Sequence, residues 1–105
     1  MHMLVITFQL DGMTVQEFHE LCDQIAPTWA DIPGLVSKVW LENPEINTYG
    51  GIYTWQSRQA MEQFLNSDLF DAVATNPNFT NASVQDYGVI AAPTQVTRGM
   101  QTVLA

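Results

Sequence analysis

The sequence predicts an α+β fold in which strand, helix, strand, strand, helix and strand succeed one another around a four-stranded antiparallel sheet, the split βαβ order of the ferredoxin-like fold. Three observations predict it. A two-residue alternation runs through Leu4–Leu10, a capped apolar stripe starts at Thr14, and two further alternating segments precede a second helical stretch and a last strand.

In the first segment Leu4, Ile6, Phe8 and Leu10 alternate with Val5, Thr7 and Gln9, the period of a strand with one strongly apolar face; Asp11-Gly12 then turns the chain. Thr14 and Glu17 stand at capping-box spacing and Met13 and Phe18 at hydrophobic-staple spacing, with Val15, Phe18, Cys22 and Ile25 on one helical stripe. Pro27 is expected to kink this helix or end its regular part, Trp29 extends the stripe by a turn, and Pro33-Gly34 stops it. The second strand, Leu35–Glu42, sets Leu35, Ser37, Val39 and Leu41 against Val36, Lys38, Trp40 and Glu42. Asn43–Thr48 is a hairpin loop and Tyr49–Trp55 the third strand, where Gly50-Gly51 signals a bulge or a close backbone approach.

Ser57 caps a second helix with Ala60, Met61, Phe64 and Leu65 on its buried stripe, and Ser67-Asp68 restarts a short helical piece carrying Leu69, Phe70 and Val73. Asn76-Pro77 ends it, Thr80–Ile90 is the fourth strand, and residues 93–105 are a tail whose Val96, Val103 and Leu104 show no period. Helices on one face leave the other face of the sheet in need of cover. The mixed residues expected there, such as Val5, Trp40 and Val36, suggest two subunits packed sheet to sheet around a shared barrel.

Composition narrows the functional classes. With 105 residues, 47% of them hydrophobic, the chain is long enough for one core and too short for two domains. A net charge of −8 makes nucleic acid and anionic membrane poor partners. Neither a membrane span nor a signal peptide is visible, so a cytoplasmic location is the expectation. The opening Met1-His2-Met3 has the look of an expression remnant, and His2 is given no chemistry. The single cysteine, Cys22, forms no intramolecular disulfide, and zinc or iron–sulfur ligation lacks its spaced Cys and His pairs.

Pro33-Gly34-Leu35, Lys38-Val39-Trp40-Leu41-Glu42 and Gly50-Gly51-Ile52-Tyr53 together resemble the YdhR-like monooxygenases. These are a branch of the dimeric α/β-barrel superfamily that includes the antibiotic-biosynthesis monooxygenases. Trp55-Gln56-Ser57, Ala60, Phe64-Leu65, Ser67-Asp68 and Phe70 are similar to the superfamily's third-strand and second-helix signature, and the resemblance spans about residues 4–93. It implies a homodimer joined through the sheet face, and in each subunit a small pocket between sheet and helices. It also implies oxygenation of a small aromatic or quinol-like substrate without metal, flavin or haem. Haem-degrading members of the superfamily carry an Asn on the first strand, a Trp on the second helix and a His after it. Here the Trp and His positions are Phe64 and Ala74 and the first strand has no Asn, which argues against haem degradation.

Oxygenation without a cofactor needs a dry pocket, a basic or hydrogen-bonding group and stabilisation of an aryloxide. Lys38, the only lysine, Trp40 and Tyr53 are the candidate catalytic residues; Phe8, Trp55, Phe64 and Phe70 are candidate walls of the substrate site. Each has a plainer alternative: Lys38 paired with Glu42 on its own strand face, the aromatics as core or interface packing. His19, flanked by Glu17, Glu20 and Asp23, reads as a surface histidine, Cys22 as a small buried hydrophobe, and Arg58 and Arg98 as surface charges. Thr7 and Gln9 share a strand face and serve either a ligand or an interface. Two rival functions fit the same scaffold, a non-catalytic small-ligand-binding module and an isomerase or lyase.

Overall fold

Thr14 and Glu17 form the capping box that their spacing predicts: the Glu17 amide donates to Thr14 Oγ1 at 3.1 Å and the Thr14 amide to Glu17 Oε1 at 2.9 Å. That box opens the first helix of a computed structural model that describes residues 1–100. The elements are β1 (His2–Leu10), α1 (Val15–Ala30), β2 (Leu35–Asn43), β3 (Thr48–Trp55), α2 (Arg58–Leu65), α3 (Asp68–Ala74), β4 (Phe79–Gly88) and α4 (Ala91–Val96), with a 3-10 turn at Pro44–Ile46. All strand pairings are antiparallel and the sheet order is β2-β3-β1-β4, so the ferredoxin-like α+β fold is the one observed.

One open expectation is settled and one changes. Helix α1 continues through Pro27 to Ala30, giving up the bond to the Asp23 carbonyl, because Trp29 beyond it is drawn into the core at 5% exposure. Part of the expected tail, Pro93–Val96, belongs to α4, while Val103 and Leu104 lie outside the described residues. Ser57 and Ser67 cap α2 and α3 as expected. Gly34 stands at φ +81°, and a Cβ there would fall 2.4 Å from that of Ala60. The turn into β2 therefore admits glycine alone on two independent grounds, conformation and space.

Leu4, Ile6 and Phe8 of β1 and Tyr49, Tyr53 and Trp55 of β3 turn one sheet face toward the helices, where Phe18, Trp29, Met61 and Phe64 close over them. Strand β2 corrects the sequence reading. Lys38, Trp40 and Glu42 pair with Tyr53, Gly51 and Tyr49, which places Trp40 on the helix side rather than on the open face with Val5. Val39, 57% exposed, and Leu41 take the open face instead. The reason is room: Gly51 leaves space beside it that large side chains from the edge strand fill. Val36 is the extra residue where the β2–β3 register shifts between Leu35 and Ser37, and it borders a groove beneath α1. Among the described residues no helix is long and apolar enough to cross a membrane.

Candidate functional site

Phe18, Cys22, Ile25 and Trp29 recur at helical spacing along α1 and look down on the β2–β3 half of the sheet. Between them and Phe8, Lys38, Trp40, Gly51 and Tyr53 lies a void of about 30 Å3. A single water needs roughly 10–15 Å3 of such space, so the void admits small molecules only. Its walls are apolar apart from three polar tips, the Lys38 amine, the Tyr53 hydroxyl and the Cys22 thiol.

The lysine is held by rings. Its Nζ lies 3.4 Å from the Trp40 ring centroid, 4.6 Å from that of Tyr53 and 5.3 Å from that of Trp29. Gly51 makes this possible, since a Cβ there would lie 2.6 Å from Lys38 Cε. The expected pairing with Glu42 does not form: Glu42 Oε1 meets His19 Nε2 at 2.6 Å, on the surface, and among the described residues Lys38 has no carboxylate partner. Burial without a counter-ion pushes the amine down from 10.5 to about 7, opposed by the neighbouring Cys22.

Tyr53 is the complementary group. Burial pushes its hydroxyl up to about 12, although the hydrogen bond from Trp29 Nε1, at 3.4 Å, works the other way. Since the Tyr53 oxygen accepts from Trp29, its own proton remains available for donation. Burial also pushes the Cys22 thiol up against the opposing pull of Lys38, so it stays protonated and is no nucleophile at neutral pH.

The void communicates with the surface along the crevice between α1 and the edge strand β2. Trp40 divides that crevice. On one side a groove of about 440 Å3 runs past Cys22 to His19, Asp23 and Glu42; on the other, one of about 320 Å3 reaches Trp29, Val36 and Lys38. A further groove of about 460 Å3, between the end of α1 and α2–α3, is bordered by Phe64 and is remote from Lys38.

Of the residues nominated from sequence, Phe8, Lys38, Trp40 and Tyr53 converge on the void. Trp55, Phe64 and Phe70 lie beyond Tyr53 as one packed stack: Tyr53 and Trp55 are parallel with centroids 6.0 Å apart, Trp55 and Phe64 are 5.2 Å apart, and Phe64 and Phe70 5.6 Å. His19 is at the surface, Arg58 pairs with Glu62 at 3.1 Å on the exposed side of α2, and Thr7 and Gln9 face away from the helices. Sequence reasoning missed two members of the site. Trp29, read as the last residue of an apolar stripe, is both a wall of the lysine cage and a donor to Tyr53, and its signal was its i+7 spacing from Cys22. Gly51, read as part of a bulge or a close backbone approach, is the space the lysine occupies.

An open four-stranded sheet covered on one face by helices, with a small apolar pocket between them, defines the class: a ferredoxin-like α+β domain of the antibiotic-biosynthesis-monooxygenase fold. Residues 3–100 match the family model "Putative mono-oxygenase ydhR", and the chain belongs to that family. Among solved structures it is similar to SnoaB from Streptomyces nogalater, described as a cofactor-independent oxygenase. The identity is 23% over 87% of this chain and 94% of that one, with a TM-score of 0.67. It is similar as well to the haem degrader MhuD from Mycobacterium tuberculosis, at 19% identity, 86% and 96% coverage and a TM-score of 0.69. A putative antibiotic biosynthesis monooxygenase from Deinococcus radiodurans shares 18% identity over 88% and 95% of the two chains, with a TM-score of 0.70. No curated protein matches the sequence.

Haem does not fit the residues present. No histidine lines the void, His19 on the adjoining groove is engaged by Glu42 at the surface, Phe64 is 3% exposed within the packed stack, and Ala74 on α3 has no ligating group. Among the described residues no three His, Cys, Asp or Glu side chains gather as a metal site.

Proposed function

We propose that this member of a monooxygenase family oxygenates a small phenolic or quinol-like aromatic without a cofactor, in the crevice between α1 and β2, as a cytoplasmic homodimer. One observation carries the reading: a buried amine and a buried phenol face the same small, largely apolar void at the foot of a groove large enough for an aromatic ring.

The ring lies in the groove against Trp40, with its hydroxyl toward Lys38. The neutral Lys38 amine accepts the phenolic proton, and the resulting ammonium remains beside the aryloxide as its counter-ion. The electron-rich aryloxide then passes an electron to dioxygen, whose size and lack of charge suit the apolar void, and the radical pair combines to form a carbon–oxygen bond. The peroxide so formed takes one proton, and its O–O bond breaks as the ring C–H proton is lost. One oxygen atom stays on the ring as a carbonyl and the other leaves as water. Tyr53 is placed to hydrogen-bond the distal oxygen while it departs.

Oxygen uptake by metal-stripped protein with a panel of hydroxylated aromatics, corrected for autoxidation, tests this. The expected result is protein-dependent uptake with an oxygenated product. The rate should rise with pH through about 7, as Lys38 deprotonates, and fall by about 100-fold in Lys38→Met. Binding without uptake would instead establish a ligand-binding module, and a product of unchanged oxidation state formed under nitrogen an isomerase.

The uncovered sheet face, where Val39 and Tyr87 are 57% and 54% exposed near Val5 and Ile52, supports the dimer. A second copy is its natural cover. Val5→Asp with Val39→Asp should turn a dimer into a monomer by light scattering; a dimer that persists would place the contact elsewhere.

A further inference from the structure

We propose that Lys38 is also a covalent capture site for neutral carbonyl compounds, aldehydes and ketones with aromatic or apolar substituents, which it binds as imines. This goes beyond the oxygenase reading and shares with it the pocket and the Lys38 amine.

The geometry is that of an amine kept for bond formation. Lysines inside proteins are ordinarily held by carboxylates or carbonyl oxygens. Among the described residues Lys38 has neither an ion pair nor a hydrogen bond, and its contacts are the faces of Trp40, Trp29 and Tyr53. Its stem crosses Gly51 so closely that a Cβ there would displace it, and the amine is carried away from the solvent edge of β2 and under α1. It remains reachable, because Lys38 also borders the groove of about 320 Å3 that opens beside Val36.

The same surroundings choose the ligand. Rings on three sides of the amine offer stacking surfaces to an aromatic or apolar substituent. The groove through which Lys38 is reached carries no charged side chain besides the lysine, and the chain carries a net charge of −8, which together disfavour keto acids and other anionic carbonyl compounds. The void accommodates the reacting C=O and little more, leaving the substituent in the groove.

The step balances without an oxidant or reductant. The amine lone pair attacks the carbonyl carbon to form a C–N bond, and a proton passes from nitrogen to the carbonyl oxygen to give a hemiaminal. Loss of that oxygen as water then leaves the C=N bond. Burial supports it, since an amine at about 7 is half neutral at pH 7 where an ordinary lysine is almost entirely protonated.

The composition makes the test simple: Lys38 and the N-terminus are the only amines in the chain. The full-length protein is incubated under nitrogen with benzaldehyde and cyanoborohydride, which reduces imines to stable amines, and labelling at Lys38 is read by peptide mass mapping. The same reaction in concentrated urea gives the rate of an ordinary lysine in this sequence. At pH 7 labelling of folded Lys38 should exceed that of the unfolded chain by at least about tenfold, and the advantage should vanish above about pH 10. A folded rate at or below the unfolded rate at pH 7 would overturn the proposal. Glyoxylate, an anionic aldehyde, should label Lys38 at least about tenfold less than benzaldehyde relative to the N-terminus; equal labelling would overturn the ligand class. Gly51→Ala keeps the amine but displaces its stem, and should reduce the folded rate while circular dichroism shows the fold retained. Oxygen uptake with phenols but no aldehyde trapping removes the imine site alone; trapping without uptake with any phenol removes the oxygenase reading alone.

Discussion

Two aromatic regions sit side by side on the same sheet face and have opposite characters. In one, Trp55, Phe64 and Phe70 fill the space between β3 and the paired helices α2 and α3 with ring against ring. In the other, Trp29, Trp40 and Tyr53 surround an amine and an unfilled space. Tyr53 belongs to both, parallel to Trp55 on one side and facing Lys38 on the other. The difference originates in β3, whose helix-facing positions run Tyr49, Gly51, Tyr53, Trp55. Where the strand offers an indole the core is solid; where it offers a hydrogen atom, a side chain from the edge strand enters and packing stays incomplete. Even the solid region is not perfectly satisfied, since Trp55 Nε1 is buried without a hydrogen-bond partner among the described residues.

Breaking the solid side should have the largest effect. Phe64 is 3% exposed and meets Trp29, Tyr53, Trp55 and Phe70, so Phe64→Ala is expected to lower stability by about 3–5 kcal/mol in urea denaturation. A loss under about 1 kcal/mol would show that α2 and α3 are free to collapse onto the space, and that the two regions differ less than their packing indicates.

On the open side the expected change has the opposite sign. Because the Lys38 amine lies at about 7 when folded and near 10.5 when unfolded, the unfolded chain binds more protons between those values. Stability should therefore rise as pH increases from about 7 to about 10.5, and the full penalty should be present below pH 7. Lys38→Met removes that slope, with a gain of a few kcal/mol at pH 6 that shrinks toward zero by about pH 10.5. Parallel stability curves for the two proteins would mean that the lysine finds water or a counter-ion in solution.

The contrast also marks how far the sequence can be read. Element order and helix starts are legible because their causes are local: Thr14 with Glu17, Ser57, Ser67 and the alternation through Leu4–Leu10 all act within a few residues. The orientation of β2 is not local. Its two faces, Ser37 with Val39 and Leu41 and Lys38 with Trp40 and Glu42, each mix apolar and polar residues, and the choice is settled by which neighbours on β3 and α1 leave room. Lys38, Trp40 and Tyr53 could be nominated by residue type and Phe8 by its place on the first strand. The void itself could not be, for it depends on the distance between α1 and the sheet. The position of Trp29 past a proline concealed its part in the site, since helix propensity alone ends α1 sooner than the core does.

The solitary lysine has one more consequence, for proteolysis. Trypsin has three cleavage positions in this chain, Lys38, Arg58 and Arg98, and only the first lies within a strand and under a helix. In the native protein cuts should be confined to the two arginines. Cleavage after Lys38 requires the edge strand to leave the sheet, so the appearance of that one peptide during limited digestion is an internal clock for local opening of the crevice.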